Sequence, residues 1–246
     1  MVAVTYPVGL VLIVPLALAA GGSLPAGDAA IAAAAGAAGA VAIALFYFAM
    51  AIGPVSIVAP VASTGVAVPV AAGLLRGEAP SGLQLAGIVV AVAGIALALR
   101  EVEARHTVAV PARSVLLAAL AGLGFGVFFV GIDAAASQDA LWASTAARAG
   151  GCVVIAAAAL AAPARLEFSA PAVPVLVAIG ALDVTANSLF ALASTEGLLS
   201  LVSVAGSLYP VTTVLLARAV LGERLARVQQ TGVALALGGV VMIAAG

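Results

Sequence analysis

The chain has 246 residues, 65% of them hydrophobic and 8% charged, with a mean hydropathy of +1.31 and a net charge of −1. Soluble domains run nearer half apolar and a quarter charged, so lipid must be the solvent for most of this chain. Every basic residue is Arg, and with His106 and Cys152 as the single His and Cys the composition excludes a Walker A loop, Schiff-base chemistry, a zinc site and an internal disulfide.

A membrane-crossing helix needs about 20 mostly apolar residues, and about nine such runs succeed one another along the chain. The first covers residues 2–20 and ends at a turn through Gly21, Gly22, Pro25 and Asp28. The second, 29–50, is closed by Gly53-Pro54; the third, 55–75, stops at Arg76-Gly77-Glu78; the fourth is 83–99. Arg100, Glu101, Glu103, Arg105 and His106 then make the most polar stretch of the chain. This divides the sequence into an N-terminal half (1–100), a linker (101–113) and a C-terminal half (114–246). Beyond it come runs at 114–133 and 140–162, a loop at 163–171 with Arg165 and Glu167, and runs at 172–193, 198–220 and 228–245. The first run has the apolar character of a secretory signal, with Leu18-Ala19-Ala20 as a small-residue site. It lacks a preceding positive charge and is too long for one, so it reads as a helix.

Membrane β-strands alternate apolar and polar residues, whereas these runs are apolar all round. The expected fold is therefore an all-α membrane protein. Its helices should meet through small residues four apart, at Ala32/Gly36, Ala35/Gly39, Gly87/Ala91, Ala147/Gly151 and Ala234/Gly238.

The strongest signal is a duplication. Gly77-Glu78, Gln84, Gly87 and Gly94 recur at one fixed offset as Gly222-Glu223, Gln229, Gly232 and Gly239. Leu45-Phe46 and Leu189-Phe190 match with a one-residue slip. An odd number of spans separates the copies, so equivalent helices cross the membrane in opposite directions. Such inverted repeats give secondary transporters two near-degenerate states around a site near mid-membrane.

The segment from Leu208-Tyr209-Pro210-Val211-Thr212 to Leu221-Gly222-Glu223-Arg224-Leu225, followed by Gln229 and Gly232, resembles the C-terminal hairpin of the EamA-type drug/metabolite transporter superfamily. Residues 69–75 with Gly77-Glu78, Gln84 and Gly87 resemble it more loosely, and Gly124-Phe125-Gly126 also fits the pattern. The resemblance implies a ten-helix inner-membrane carrier of small metabolites, amino acids or drugs, made of two five-helix repeats. About four spans precede the linker here and five follow it. Either the start lies upstream, or this is a nine-helix variant that acts as a structural subunit with a partner chain.

Arginine counts bear on orientation. Arg100, Arg105, Arg113, Arg165, Arg224 and Arg227 fall on the side of the N-terminus, with Arg218 near its edge, against Arg76 on the other. The positive-inside rule then makes the N-terminus cytoplasmic and the C-terminus external, whereas the resemblance implies a cytoplasmic C-terminus.

An ionisable group in hydrocarbon costs at least about 2.5–3.5 kcal/mol, so each needs a partner or a function. Asp183 lies mid-span with Asn187 one turn on along the same face. Loss of water penalises its charged form, which makes Asp183 a substrate or proton site, or else a protonated acid bonded to a neighbouring helix. Arg148 and Asp133 fall at similar depth and form the preferred structural pair. Alternatively Arg148 meets the carboxylate of an anionic or zwitterionic solute, with Asp133 or Asp183 as its resting counter-ion. Pro210 frees a backbone carbonyl, so Ser207, Tyr209 and Thr212 either offer hydroxyls to a solute or satisfy a kink in their own helix. Trp142 reads as an interfacial anchor, Glu78 and Glu223 as helix caps or partners of Arg76 and Arg224, and His106 as solvated.

No ATP-binding motif, Gly-x-Ser-x-Gly, His-Glu-x-x-His or acidic cluster is present, so the sequence reads as a secondary transporter and not an enzyme, with no cofactor and no metal. Near-neutral charge without a basic block excludes nucleic acid. The expected partners are the lipid bilayer, a small neutral or zwitterionic solute and protons, with the chain acting as a monomer or homodimer. Abundant Ala and Arg without Lys is the composition of a GC-rich bacterium, hence an inner-membrane location.

Overall fold

The computed structural model describes residues 2–98, 111–161, 173–208, 211–212 and 226–246. Among them are the helices α1 (Val2–Ala20), α2 (Ala26–Ile52), α3 (Val55–Ser63), α4 (Ala67–Leu75), α5 (Gly82–Ala98), α6 (Ala112–Ala136), α7 (Ala140–Ala161), α8 (Val173–Glu196), α9 (Leu199–Gly206) and α10 (Arg227–Ala245). A 3-10 turn at Thr64–Val66 joins α3 to α4, and the described residues contain no strand. Among the described residues, seven helical stretches are long and apolar enough to cross a membrane, and α5 is a shorter apolar helix. The protein is thus an all-α, multi-pass membrane protein. Most of the linker, the loop with Arg165 and Glu167, and the latter part of the 198–220 run lie outside the described residues.

The described chain packs as two compact units. One comprises Met1–Ile43 with Val127–Gly197, the other Ala44–Gly126 with Leu198–Gly246. Each draws helices from both halves of the sequence.

In the first unit α1 packs on α7 and α8, and α7 on α8. The early part of α2 joins through glycine: a methyl group on Gly36 would run into the Ala147 backbone, and one on Gly150 into that of Ala33. Apolar side chains gain little by leaving lipid for one another, so contact depends on such close backbone approach. Asp139 caps α7 by accepting from the Trp142 N–H at 3.0 Å, and the Trp142 indole N–H donates to the Gly21 carbonyl at 3.1 Å. Trp142 therefore ties the end of α1 to the start of α7.

In the second unit α5 and α10 are the most intimate pair. A methyl on Gly94 would strike Ala236, one on Gly239 would strike Ala91, one on Gly87 would strike Ile243, and one on Gly232 would strike Ala98. Position rises along one helix as it falls along the other, so the two run antiparallel. Gly87, Ala91, Gly94 and Ala98 correspond, at the fixed offset of the duplication, to Gly232, Ala236, Gly239 and Ile243. Exchanging each residue for its counterpart turns every contact in that set into another of the same set. This is the signature of a two-fold relation, and it makes the duplication an inverted one. The expected small-residue pair Ala234/Gly238 is corrected here. A methyl on Gly238 would meet nothing within 4 Å, because the buried face of α10 runs through Gly232, Ala236 and Gly239.

The other repeated residues have local structural roles. Gly77 takes φ +93°, its N–H donates to the Leu74 carbonyl, and the Glu78 N–H donates to the Gly73 carbonyl, both at 3.1 Å. That pattern is a Schellman helix end, which calls for glycine at the left-handed position. The Glu78 carboxylate then accepts from the N–H groups of Leu199 at 2.6 Å and Ser200 at 3.1 Å. It caps α9 across the sequence, where the N-cap residue Leu198 makes no side-chain cap bond. Glu223 and Arg224 lie outside the described residues. At the start of α5, Gln84 and Ser81 bond reciprocally to each other's N–H groups at 2.8 and 3.2 Å, a capping box. Gln229 makes the equivalent bond to the Ala226 N–H at 3.0 Å; alanine has no acceptor to return, so only half of the box exists. Glu78→Ala would strand two N–H groups at the positive end of a helix dipole. It is expected to lower stability by about 1–2 kcal/mol in thermal unfolding, and an unshifted melting temperature would contradict this role for Glu78.

Candidate functional site

The first unit contains a polar cluster built by three apolar helices. On α1, Thr5, Gly9, Ile13 and Ala17 form one buried stripe at helical spacing. Pro7 and Pro15 interrupt that helix's hydrogen-bond ladder, since proline has no N–H to donate. On α7 the buried face carries Ser144, Thr145, Ala147, Arg148 and Gly151. On α8, Gly180 and Val184 face inward.

Arg148 projects into this packing with only 4% of its side chain exposed, and its Nη2 donates to Asp183 Oδ2 at 2.6 Å. The Asp183 side chain remains 42% exposed, and its Oδ1 accepts from the Asn187 amide at 3.4 Å. The Tyr6 ring covers the guanidinium, with Arg148 Cζ 4.6 Å from the ring centroid. Glycine makes that stack possible. A Cβ at Gly9 would lie 3.2 Å from Arg148 Cζ, and one at Gly151 would collide with the Tyr6 ring. A guanidinium taken from water needs this much compensation: a charge partner, and a π-face that attracts cations by about 0.5–2 kcal/mol.

The acid that meets Arg148 at 2.6 Å is thus Asp183 on α8, the counter-ion of the alternative reading. Helical spacing fixes which face of α7 carries Arg148 but not which neighbour that face meets, and the face meets α1 and α8. Asp133 makes an interaction of its own. Asn187 joins Asp183 one turn along α8, where the spacing placed it. Ser207 and Thr212 belong to the second unit and bond to their own helix: Ser207 Oγ donates to the Ser203 carbonyl at 2.7 Å, and Thr212 Oγ1 to that of Leu208 at 3.5 Å. Tyr209 and Pro210 lie outside the described residues. Tyr6 and Gly9 carry no sequence pattern beyond a Tyr-Pro step inside an apolar span.

Two further features lie near the charges. Ser144, one turn before Arg148 on α7, has a buried hydroxyl without a hydrogen-bond partner among the described residues. Phe190 follows Asp183 and Asn187 on the same face of α8, about 10 Å along the axis from Asp183. Its ring centroid is 4.4 Å from that of Phe129. One helix face thus grades from charged to aromatic. Among the described residues no group of three or more His, Cys, Asp or Glu could hold a metal ion. The cluster is equipped to bind charge and hydrogen-bonding groups beside an apolar surface.

Comparison with known proteins agrees with this architecture. The chain is similar in fold to a protein of known crystal structure, with a TM-score of 0.84 and 17% identity over 99% of this chain and 87% of that one. No curated protein matches it by sequence. The EamA-like transporter family matches residues 112–245, more than half of the sequence. An all-helical membrane fold, an inverted duplication and that match lead to one conclusion: the chain belongs to the EamA-like transporter family.

Proposed function

We propose that the protein is a secondary carrier of a small solute, working by alternating access without ATP in a bacterial inner membrane, and that Arg148, Asp183 and Asn187 form its solute site. The observation that carries this reading is an almost fully buried arginine whose carboxylate partner is still 42% exposed. A purely structural ion pair gains most when both partners are enclosed and fully bonded, whereas here one acidic group is open to a solute's donor groups.

Charge balance supports a solute class. The Arg148–Asp183 pair is neutral in itself, and a dipolar solute of no net charge keeps it so, with an ammonium or amide donor on Asp183 and an acceptor on Arg148. A monoanion or monocation would leave an uncompensated charge at low dielectric. The Phe190–Phe129 surface on the same face suits an apolar side of that solute.

Proteoliposomes bathed in a panel of radiolabelled neutral and zwitterionic solutes test the proposal. Uptake without ATP is expected for at least one of them, and Asp183→Asn should lower its initial rate at least about tenfold while the protein stays folded. A parent-like rate in Asp183→Asn would leave the acid as scaffold only.

A further inference from the structure

We infer that the Arg148–Asp183 pair is a latch placed on one side of a local two-fold axis, and that it favours the arrangement of α1, α7 and α8 described here over its exchanged counterpart. The inference rests on the carrier reading above. The first unit shows its own two-fold exchange of contacts. Gly9 is pressed against Arg148, and Gly151 against Tyr6. Gly180 is pressed against the Thr5 carbonyl, and Gly36 against that of Ala147. Swapping Tyr6 with Arg148, Gly9 with Gly151, Thr5 with Ala147 and Gly36 with Gly180 turns each of these contacts into the other member of its pair. α1 and α7 are therefore counterparts that meet antiparallel, and Tyr6 and Arg148 are equivalent positions stacked on each other where the axis passes.

The polar groups break this symmetry. On α8, Asp183 follows Gly180 by three residues and Asn187 follows it by seven; the residues at those steps from Gly36 on α2 are Gly39 and Ile43. The α8 side therefore offers a carboxylate and an amide to the residue on the axis, and the α2 side offers neither. An inverted repeat reaches its second state by exchanging the conformations of its two halves. In that exchange Arg148 and Asp183 take the arrangement that Tyr6 and Gly39 have now, and a Cβ at Gly39 would have the Phe128 side chain, at 3.1–3.6 Å, as its nearest neighbour, so Arg148 loses its acid. The two states then differ in free energy by the worth of the ion pair, and the empty protein rests in the latched one.

A solute that occupies the exposed Asp183 carboxylate competes with Arg148 for it. It removes the difference between the states and lets them interconvert, which is the differential interaction a ligand needs to shift a conformational equilibrium. Tyr6 acts here as a positioning residue, keeping the freed guanidinium stacked at the axis.

Double electron–electron resonance on the full chain in lipid tests the latch. Nitroxides at Leu18→Cys on α1 and Val175→Cys on α8, in a Cys152→Ala background, span a distance that changes when α1 and α7 exchange roles; both sites are exposed. The parent is expected to give one dominant distance. Asp183→Asn should add a second holding at least a quarter of the molecules, and Asp183→Glu, which keeps the charge, should restore the single one. Arg148→Gln removes the same pair and serves if Asp183→Asn does not fold. One unchanged distance in the folded charge-neutral variants overturns the latch, even if the parent carries solute in the flux assay. One distance in a parent that moves none of the solute panel, with two in the folded variants lacking the pair, would uphold the latch and overturn the carrier reading.

Discussion

Asp183→Leu is expected to destabilise the protein by about 3 kcal/mol, toward the lower end of what removing one partner of a buried ion pair costs. The loss comes from Arg148, which is enclosed by α1, α7 and α8 and would be left without a counter-charge. The estimate sits low because Asp183 is 42% exposed and so is less completely enclosed than Arg148. The double variant Arg148→Met with Asp183→Leu should recover most of that loss, since an apolar side chain fits a lipid-like interior with nothing to satisfy. Equilibrium unfolding of the parent, both single variants and the double variant gives the coupling directly. A double variant no more stable than Asp183→Leu would show that the guanidinium is not the source of the cost. The double variant should also be transport-inactive, which separates stability from function.

The second large effect lies between α5 and α10. Gly94→Ala places a methyl against the Ala236 backbone, where no rotamer change can relieve it, so the helices must part. Overpacking of this kind costs about 1–3 kcal/mol, and the two-fold relation requires Gly239→Ala, which meets Ala91, to cost nearly the same. Gly238→Ala, one position away, meets nothing and should be neutral, or stabilising by about 0.5–1 kcal/mol through helix propensity. Thermal unfolding of the three variants side by side decides the matter: equal losses at Gly94 and Gly239 with none at Gly238 support the arrangement, and a loss at Gly238 alone would refute it.

These contrasts show what the amino-acid sequence makes legible. Apolar length and the rarity of charge are enough to place the spans, because the bilayer imposes one thickness on every helix. The order of Gly77, Gln84, Gly87 and Gly94 is enough to reveal the duplication, because each has a backbone role that few other residues can fill. Which helix faces which is not legible in the same way. Ala234/Gly238 and Gly87/Ala91 look alike as spacing, yet one faces outward and the other is an interface. Arg148 had two acids within reach along the chain, and only the packing of α1 onto both α7 and α8 selects Asp183. Tyr6 is not legible, because a single aromatic residue in an apolar helix carries no pattern. Glu78 caps a helix start far away in sequence, a contact that no local window contains.

The antiparallel clasp of α5 and α10 also bears on biogenesis. A membrane protein is inserted from its N-terminus as the ribosome advances, so the glycine face of α5 enters the membrane long before its complement has been translated. During that interval Gly87, Ala91 and Gly94 must be covered by lipid, the translocon or a chaperone. The Glu78 carboxylate meanwhile waits for a helix start that has not yet been made. Nascent chains arrested shortly before Arg227 should therefore be far more sensitive to protease than chains that include α10, whose arrival completes the α5–α10 contact.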